Sequence, residues 1–387
     1  MSVRVLAFFD SRYQTSPLGT AEEAWRPLKE ARPVSRQHFA LDAPSSLGMY
    51  DLGDPQAAAA VVASAKSANI EGFVVDLRWT AQGYWTGAEA LAPLTGPDFG
   101  LAFQWKNGDD AFWTAEASVE ERAARAQTMI KAISVGTPAL IGGRVGLMVE
   151  SPKLLQGPAE ALRLLRAAAA EAGLPGLYLM ASRAEDAKGD YLKVQGYDAL
   201  VDPSVPAWPS CPPNSEPNGL DYLEVMAGLK DSVEYTDRFY NYMLFTVARM
   251  INRDKRGKVL PRVFAAYYDW LEKPEGGGMH LQFKGGGRTA PNDPHYFSMF
   301  VENAMLWAQG NLPEDEQVVF MDSWNGWATG SQIEPSLLDG ELITNAARNG
   351  IDRGRFMAMG RASMPKCQLD ADLRERIKLL CEAASNL

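Results

Sequence analysis

The sequence predicts an α/β fold, a parallel eight-stranded (β/α)8 TIM barrel built as a single domain with long βα loops. Three observations carry that expectation. Short runs of β-branched and aromatic residues alternate with Ala/Leu/Arg-rich stretches, the pattern of repeated βα units. Eight such runs fall within a chain of 387 residues, which suits a closed barrel better than an open doubly wound sheet. No glycine-rich dinucleotide fingerprint follows the first run.

The predicted strands, in order, are Val3–Phe9, Gly72–Leu77, Gly100–Trp105, Arg144–Val149, Gly176–Ala181, Ala199–Val201, Arg262–Tyr268 and Val318–Asp322. Between them Asp54–Ala68, Ser118–Ser134, Pro158–Ala172 and His295–Gly310 have the caps and composition of amphipathic helices. The barrel is expected over about residues 1–345, with 346–387 as C-terminal helical cladding that includes Asp370–Ala384. Two connections are long. Asp202–Asp237 is proline-rich, and Lys273–Pro294 carries two Gly-Gly-Gly runs, a composition suited to a moving lid.

Bulk properties narrow the function. A hydrophobic content of 46% supports a large core without disulfides or structural metals. Cys211, Cys367 and Cys381 are far apart and form no metal-ligand spacing. His38, His280 and His295 are likewise too dispersed for a zinc site. The expectation is therefore no metal and no cofactor, with a divalent ion held by Asp and Glu side chains alone as the alternative left open. The N-terminal apolar run is short for a signal peptide, and no stretch approaches the roughly 20 apolar residues of a membrane span. A cytoplasmic protein without an integral membrane segment is the expectation. A net charge of −10 with scattered basic residues argues against a nucleic-acid partner. Neither a P-loop nor a GxSxG elbow occurs.

In a (β/α)8 barrel the active site lies at the C-terminal ends of the strands, so the residues there are the ones to read. They are polar and aromatic: Asp10, Arg12 and Tyr13 after strand one; Asp76, Arg78 and Trp79 after strand two; Trp105 and Asn107 after strand three; Glu150 after strand four. Strand six runs into Asp202, strand seven into Tyr268, Asp269 and Trp270, and strand eight into Asp322, Trp324 and Asn325. Carboxylates and ring faces gathered on one rim suit glycosyl chemistry, which needs acids to manage protons and flat apolar surfaces to hold a sugar. Asp76, Glu150, Asp269 and Asp322 are the candidate catalytic carboxylates. Asp10 and Asp202 fit loop caps or ion pairs better. Ten tryptophans and thirteen tyrosines supply ring faces, although core packing is the ordinary role of such residues.

The segment Asp322-Ser-Trp-Asn-Gly-Trp-Ala-Thr-Gly-Ser-Gln-Ile-Glu-Pro335 resembles the WNEWxEGxxxEP signature of WbsX-type glycosyltransferases and glycoside hydrolase family 99-like proteins. Glu23-Ala-Trp25, Ala31-Arg-Pro33, Gln37-His-Phe39 and Leu47-Gly-Met-Tyr-Asp-Leu52 resemble that family's TEW, AKP, GHY and LGYYDL blocks. Ile70–Trp79, Trp105-Lys-Asn107 and Ile141-Gly-Gly-Arg-Val145 extend the likeness to about Pro335. The resemblance implies a barrel acting on glycans, in surface-polysaccharide assembly, related to endo-α-mannosidases. It also implies Trp324, Asn325, Trp327 and Gln332 as sugar-binding groups, and the strand ends themselves offer Trp79, Arg78, Trp105, Asn107 and Trp270 for the same role. The two glutamate positions of the signature are Gly326 and Thr329 here, and Gly108 stands where an acid follows the WxN segment. Neither glycine nor threonine is a general acid near neutral pH, so the two-carboxylate hydrolytic mechanism does not carry over.

Three functions are compatible with these residues. A glycosyltransferase, whose donor already carries its leaving group, needs acceptor positioning and one base such as Asp322 or Asp76. A hydrolase would have relocated its acids to Asp76, Glu150, Asp269 or Asp322. A silent glycan-binding protein would keep only the scaffold. The transferase leads, with a glycan or sugar nucleotide as ligand. Arg12, Arg78, Arg144 and Arg288 are candidates for a phosphate clamp.

Overall fold

A computed structural model describes residues 3–30, 43–114, 117–182, 194–201, 258–268, 279–282 and 294–361. The main sheet is a nearly closed parallel barrel. Its strands are β1 (Arg4–Phe9), β2 (Gly72–Thr80), β3 (Gly100–Trp105), β4 (Arg144–Val149), β5 (Leu177–Ala181), β6 (Ala199–Val201), β7 (Val259–Leu260), β8 (Arg262–Phe264) and β9 (Val318–Asp322). The order around the sheet is β8-β9-β1-β2-β3-β4-β5-β6-β7. Only Pro261 separates β7 from β8, and proline has no N–H to give a ladder. Its carbonyl still accepts from the N–H of Phe320 at 2.9 Å, while Lys258 O accepts from Leu200. One continuous segment thus pairs with β6 on one side and β9 on the other, which makes this a (β/α)8 TIM-barrel architecture.

Buried parallel strands read as continuous apolar runs because both faces are covered. Leu177–Ala181 and Val318–Asp322 are buried throughout. Around the barrel lie α1 (Ala21–Glu30), α2 (Pro55–Ser67), α3 (Val119–Ile133), α4 (Pro158–Glu171), α5 (Pro294–Asn311) and α6 (Leu342–Arg361). Local chemistry sets their starts. The Asp54 side chain accepts from Gln56 N ahead of Pro55, and Ser118 and Glu121 form a reciprocal capping box. On α6, a side chain at Gly350 or Gly354 would collide with Val301 or Met305 of α5, so the glycines permit close helix packing.

Strand seven differs from the sequence expectation. Arg262–Tyr268 is not one strand: it bends at Ala265, and Ala266–Tyr268 leaves the barrel to pair antiparallel with Met279–Gln282. The second strand runs past Leu77 to Thr80 and turns back through Gly83–Trp85 as a hairpin above the rim. The region Asp202–Asp237, the expected helix Asp370–Ala384, and Lys273–Pro294 apart from Met279–Gln282 and Pro294 lie outside the described residues. Among the described residues no helix is long and apolar enough to cross a membrane.

Candidate active site

The barrel register decides which side chains can meet. Residues paired across parallel strands share a face, and each face repeats every second residue. Asp76 pairs with Gln104, and Gln104 with Met148, so Arg78, Lys106 and Glu150 continue the same face one step further toward the rim. Phe264 pairs with Asp322, and Arg262 shares its parity. These residues converge on a pocket lined by Phe8, Asp10, Arg12, Asp76, Arg78, Gln104, Lys106, Glu150, Arg262, Asp322, Ser323 and Thr329, among others. Leu77, Trp105 and Val149 fall on the opposite face.

The charges alternate around this pocket. Asp76 Oδ2 lies 2.9 Å from Arg78 Nη2, and its Oδ1 is 3.7 Å from Lys106 Nζ. Lys106 in turn donates to Glu150 Oε1 at 2.7 Å, tying β2, β3 and β4 together. Arg262 donates to Asp322, with its guanidinium carbon 4.4 Å from the Phe8 ring and 4.9 Å from that of Phe264. Arg12 grips Asp10 through Nε and Nη2, the latter at 2.7 Å, and the Asp10 carboxylate also accepts from the Arg12 N–H. Burial works to raise the Asp10 pKa, but the charge and hydrogen bonds of Arg12 together outweigh it and hold the carboxyl below its ordinary range. The same pairing raises Arg12 further above its already high value.

Four carboxylates and four cations therefore share one bowl. Asp76, Glu150 and Asp322, read from the sequence as catalytic candidates, are brought together there, and so are Arg78, Arg12 and Asp10. Lys106 and Arg262 were not among the sequence candidates. Lys106 was legible in principle: it lies two residues beyond Gln104 on the inward parity of β3. Arg144 cannot join an anion clamp with Arg12 and Arg78. It begins β4, at the opposite end of the barrel, where it pairs with Asp198 at 2.8 Å. Asp202, Asp269, Trp270 and Arg288 lie outside the described residues.

The remaining sequence candidates are placed around the bowl rather than in it. Asn325 makes two hydrogen bonds to the backbone of Asp10: its Oδ1 accepts from the N–H at 2.8 Å, and its Nδ2 donates to the carbonyl at 2.9 Å. Asn107 does the same to Ser151, at 2.8 Å each way. Each carboxamide thus pins the loop after a neighbouring strand. Trp105, Trp324 and Trp327 are buried to 1% exposure or less, and Gln332 to 2%. Trp79 keeps some exposure, but the Arg125 guanidinium stacks 3.1 Å from its ring centre.

Behind Asn325 lies a buried acid. Glu334 Oε2 accepts from Tyr50 Oη and Trp327 Nε1, each at 3.0 Å, and Asn325 Nδ2 donates to Tyr50 Oη at 3.3 Å. Burial pushes the Glu334 carboxyl up to about 8, against the pull of those donors. Burial, reinforced by Glu334, also raises Tyr50 well above the phenol range. Among the described residues no cluster of three or more His, Cys, Asp or Glu side chains is placed to hold a metal ion.

A parallel barrel with a polar bowl at its strand C-termini defines a carbohydrate-active barrel protein once its relatives are considered. The chain matches the family described as Glycosyltransferase WbsX over residues 18–346, and it belongs to that family. No curated protein matches it. Among solved structures it is similar to a glycoside hydrolase-like protein at 14% identity and a TM-score of 0.58, covering 90% of this chain and 94% of that one. It is also similar to the glycoside hydrolase family 99 endo-α-mannosidase from Bacteroides thetaiotaomicron in complex with bis-tris-propane. That match has 14% identity and a TM-score of 0.52 and covers 92% and 98% of the two chains. A second structure of the same enzyme gives a TM-score of 0.51, again at 14% identity, with 91% and 98% covered. At such identity these structures speak for the fold.

Proposed function

We propose that the protein is a glycosyltransferase of surface-polysaccharide assembly, acting on a sugar-nucleotide donor in the cytoplasm. The observation that carries this reading is the alternation of charge in the bowl. Glycoside hydrolysis of the two-carboxylate kind requires one carboxylic acid holding a proton and a second carboxylate free to attack or to activate water. Here Asp10, Asp76, Glu150 and Asp322 each have a guanidinium or ammonium group as partner. Transfer from a sugar nucleotide sets a different requirement: cations to receive the negative charge that grows on the departing diphosphate. Arg12, Arg78, Lys106 and Arg262 line one pocket, and four cations in one bowl support this reading.

In the proposed step the acceptor hydroxyl oxygen bonds to the anomeric carbon as the bond from that carbon to the diphosphate oxygen breaks. Asp322 takes the acceptor proton once the incoming diphosphate draws Arg262 from it, with Asp76, released by Arg78 in the same way, as the second candidate base. Asn325 and Asn107 hold the backbone at Asp10, two residues before Arg12, and at Ser151, next to Glu150. The test is to assay transfer from a panel of sugar nucleotides and hydrolysis of aryl α-mannosides, using the wild type and the separate variants Asp322→Asn and Asp76→Asn. Loss of a general base lowers turnover by about 10²–10⁴-fold. Wild-type hydrolysis without transfer would replace this reading with a hydrolase that uses relocated acids. Glycan binding without any turnover would replace it with a binding protein.

A further inference from the structure

Among the described residues, the polar side chains that line the bowl are engaged with one another or with the wall behind them, with one exception. The carboxylates and cations are paired, and Ser323 and Thr329 each lie 2.9 Å from Ser331 Oγ. The exception is Gln104. It lines the pocket and is 4% exposed, yet its carboxamide makes no hydrogen bond among the described residues. Both amide atoms keep access to the space of the bowl, neither being fully enclosed.

The register of β3 fixes its depth. Gln104 pairs with Asp76 on one side and Met148 on the other, and Lys106 and Glu150 follow two residues further toward the rim. At about 3.3 Å per residue, Gln104 lies roughly 6–7 Å deeper along its strand than Lys106. A ligand group that meets it has therefore passed the charged rim. A buried carboxamide without a partner costs free energy, which a bound polar group relieves. A diphosphate offers acceptors alone and engages only the amide N–H groups. A carboxamide presents a donor and an acceptor side by side, and a hydroxyl can both donate and accept. Two adjacent hydroxyls thus satisfy the amide whichever way its plane is turned.

We infer that Gln104 is a specificity-determining residue: its carboxamide holds two adjacent ring hydroxyls of the donor sugar, donating from Nε2 to one and accepting at Oε1 from the other. The inference rests on the proposed sugar-nucleotide site and adds which part of the donor reaches deepest and what recognises it. A sugar that lacks one of the two hydroxyls leaves an amide atom unpaired again, the situation in which a polar site discriminates most strongly.

The test is calorimetric titration with a panel of sugar nucleotides, their monodeoxy derivatives and the matching nucleoside diphosphates, using the wild type, Gln104→Met and Gln104→Asn. Methionine keeps the length of the side chain without its polar atoms, and asparagine keeps the amide but draws it back by one methylene. In each variant the bound sugar nucleotide loses about tenfold in affinity, while the nucleoside diphosphate binds as before. In the wild type, removing either of two adjacent hydroxyls weakens binding by about tenfold, and this loss disappears in Gln104→Met. The wild-type deoxy series decides the matter even where a variant does not fold. Unchanged sugar-nucleotide affinity in both variants shows an amide that water satisfies, and it overturns the inference. A loss shared equally by the nucleoside diphosphate, or wild-type binding indifferent to every deoxygenation, does the same. These outcomes leave the sugar-nucleotide site standing. Failure to bind any sugar nucleotide overturns the proposed function, and this inference with it.

Discussion

Replacing Glu334 by glutamine gives a prediction whose sign and size both follow from the structure. The wild-type carboxyl is raised to about 8 in the folded protein from an ordinary value of 4.5, with burial as the leading cause. A raised acid means that the folded state holds a proton the unfolded chain has released. Its contribution is fully present below about pH 4.5, declines as pH rises, and is lost above about pH 8. Each unit is worth about 1.4 kcal/mol, so between pH 5 and pH 8 the wild type loses on the order of 3–4 kcal/mol relative to a variant that does not titrate. Glutamine keeps a carbonyl oxygen to accept from Tyr50 and Trp327, and it carries no charge at any pH. Urea denaturation at a series of pH values should give similar stabilities near pH 5 and a more stable Glu334→Gln variant at pH 8.5. A difference between the two proteins that stays constant across this range would refute the reasoning.

Other substitutions separate the wall of the bowl from its supports. Trp324→Ala removes a ring with no exposure and should cost about 3–5 kcal/mol in thermal or urea denaturation; a stable variant with weakened sugar binding would instead place the indole in the binding surface. Asn325→Ala leaves both backbone groups of Asp10 without the partners they have at 2.8 and 2.9 Å, and a loss of about 2–4 kcal/mol is expected by the same assay. Gly326→Glu collides with the Ser323 and Ser331 hydroxyls. It should lower the melting temperature without giving α-mannoside hydrolysis, measured with an aryl mannoside, whereas a stable and hydrolytic variant would show that the wall yields.

The fold was readable because parallel strands covered on both faces are written as short unbroken apolar runs, and Val318–Asp322 is one of them. The rule that barrel sites gather at strand C-termini then led to Asp76, Arg78, Glu150 and Asp322, which the structure collects in one bowl. What the sequence withheld was the use made of each polar or aromatic group. Asn325 and Asn107 have the amides of sugar-binding residues, but those amides are taken by the backbones of Asp10 and Ser151, residues 315 and 44 positions away. Trp105 follows Gln104 directly and therefore faces away from the bowl, a consequence of the two-residue period that strand-end proximity alone hides. Arg262 was read as the start of a strand, hence at the wrong end. The strand it occupies is so short that Arg262 still reaches Asp322.

The central claim is that the bowl receives a sugar diphosphate on its cations, and titration with a nucleoside diphosphate alone tests it most directly. The measurement is isothermal calorimetry at low and high salt, on the wild type and on Arg78→Met and Arg262→Met. The account predicts saturable binding that weakens as salt rises and falls by at least about tenfold in each variant, the size expected for a lost charge-assisted contact. Binding that ignores both arginines, or no binding beside tight association with an uncharged oligosaccharide, would contradict it.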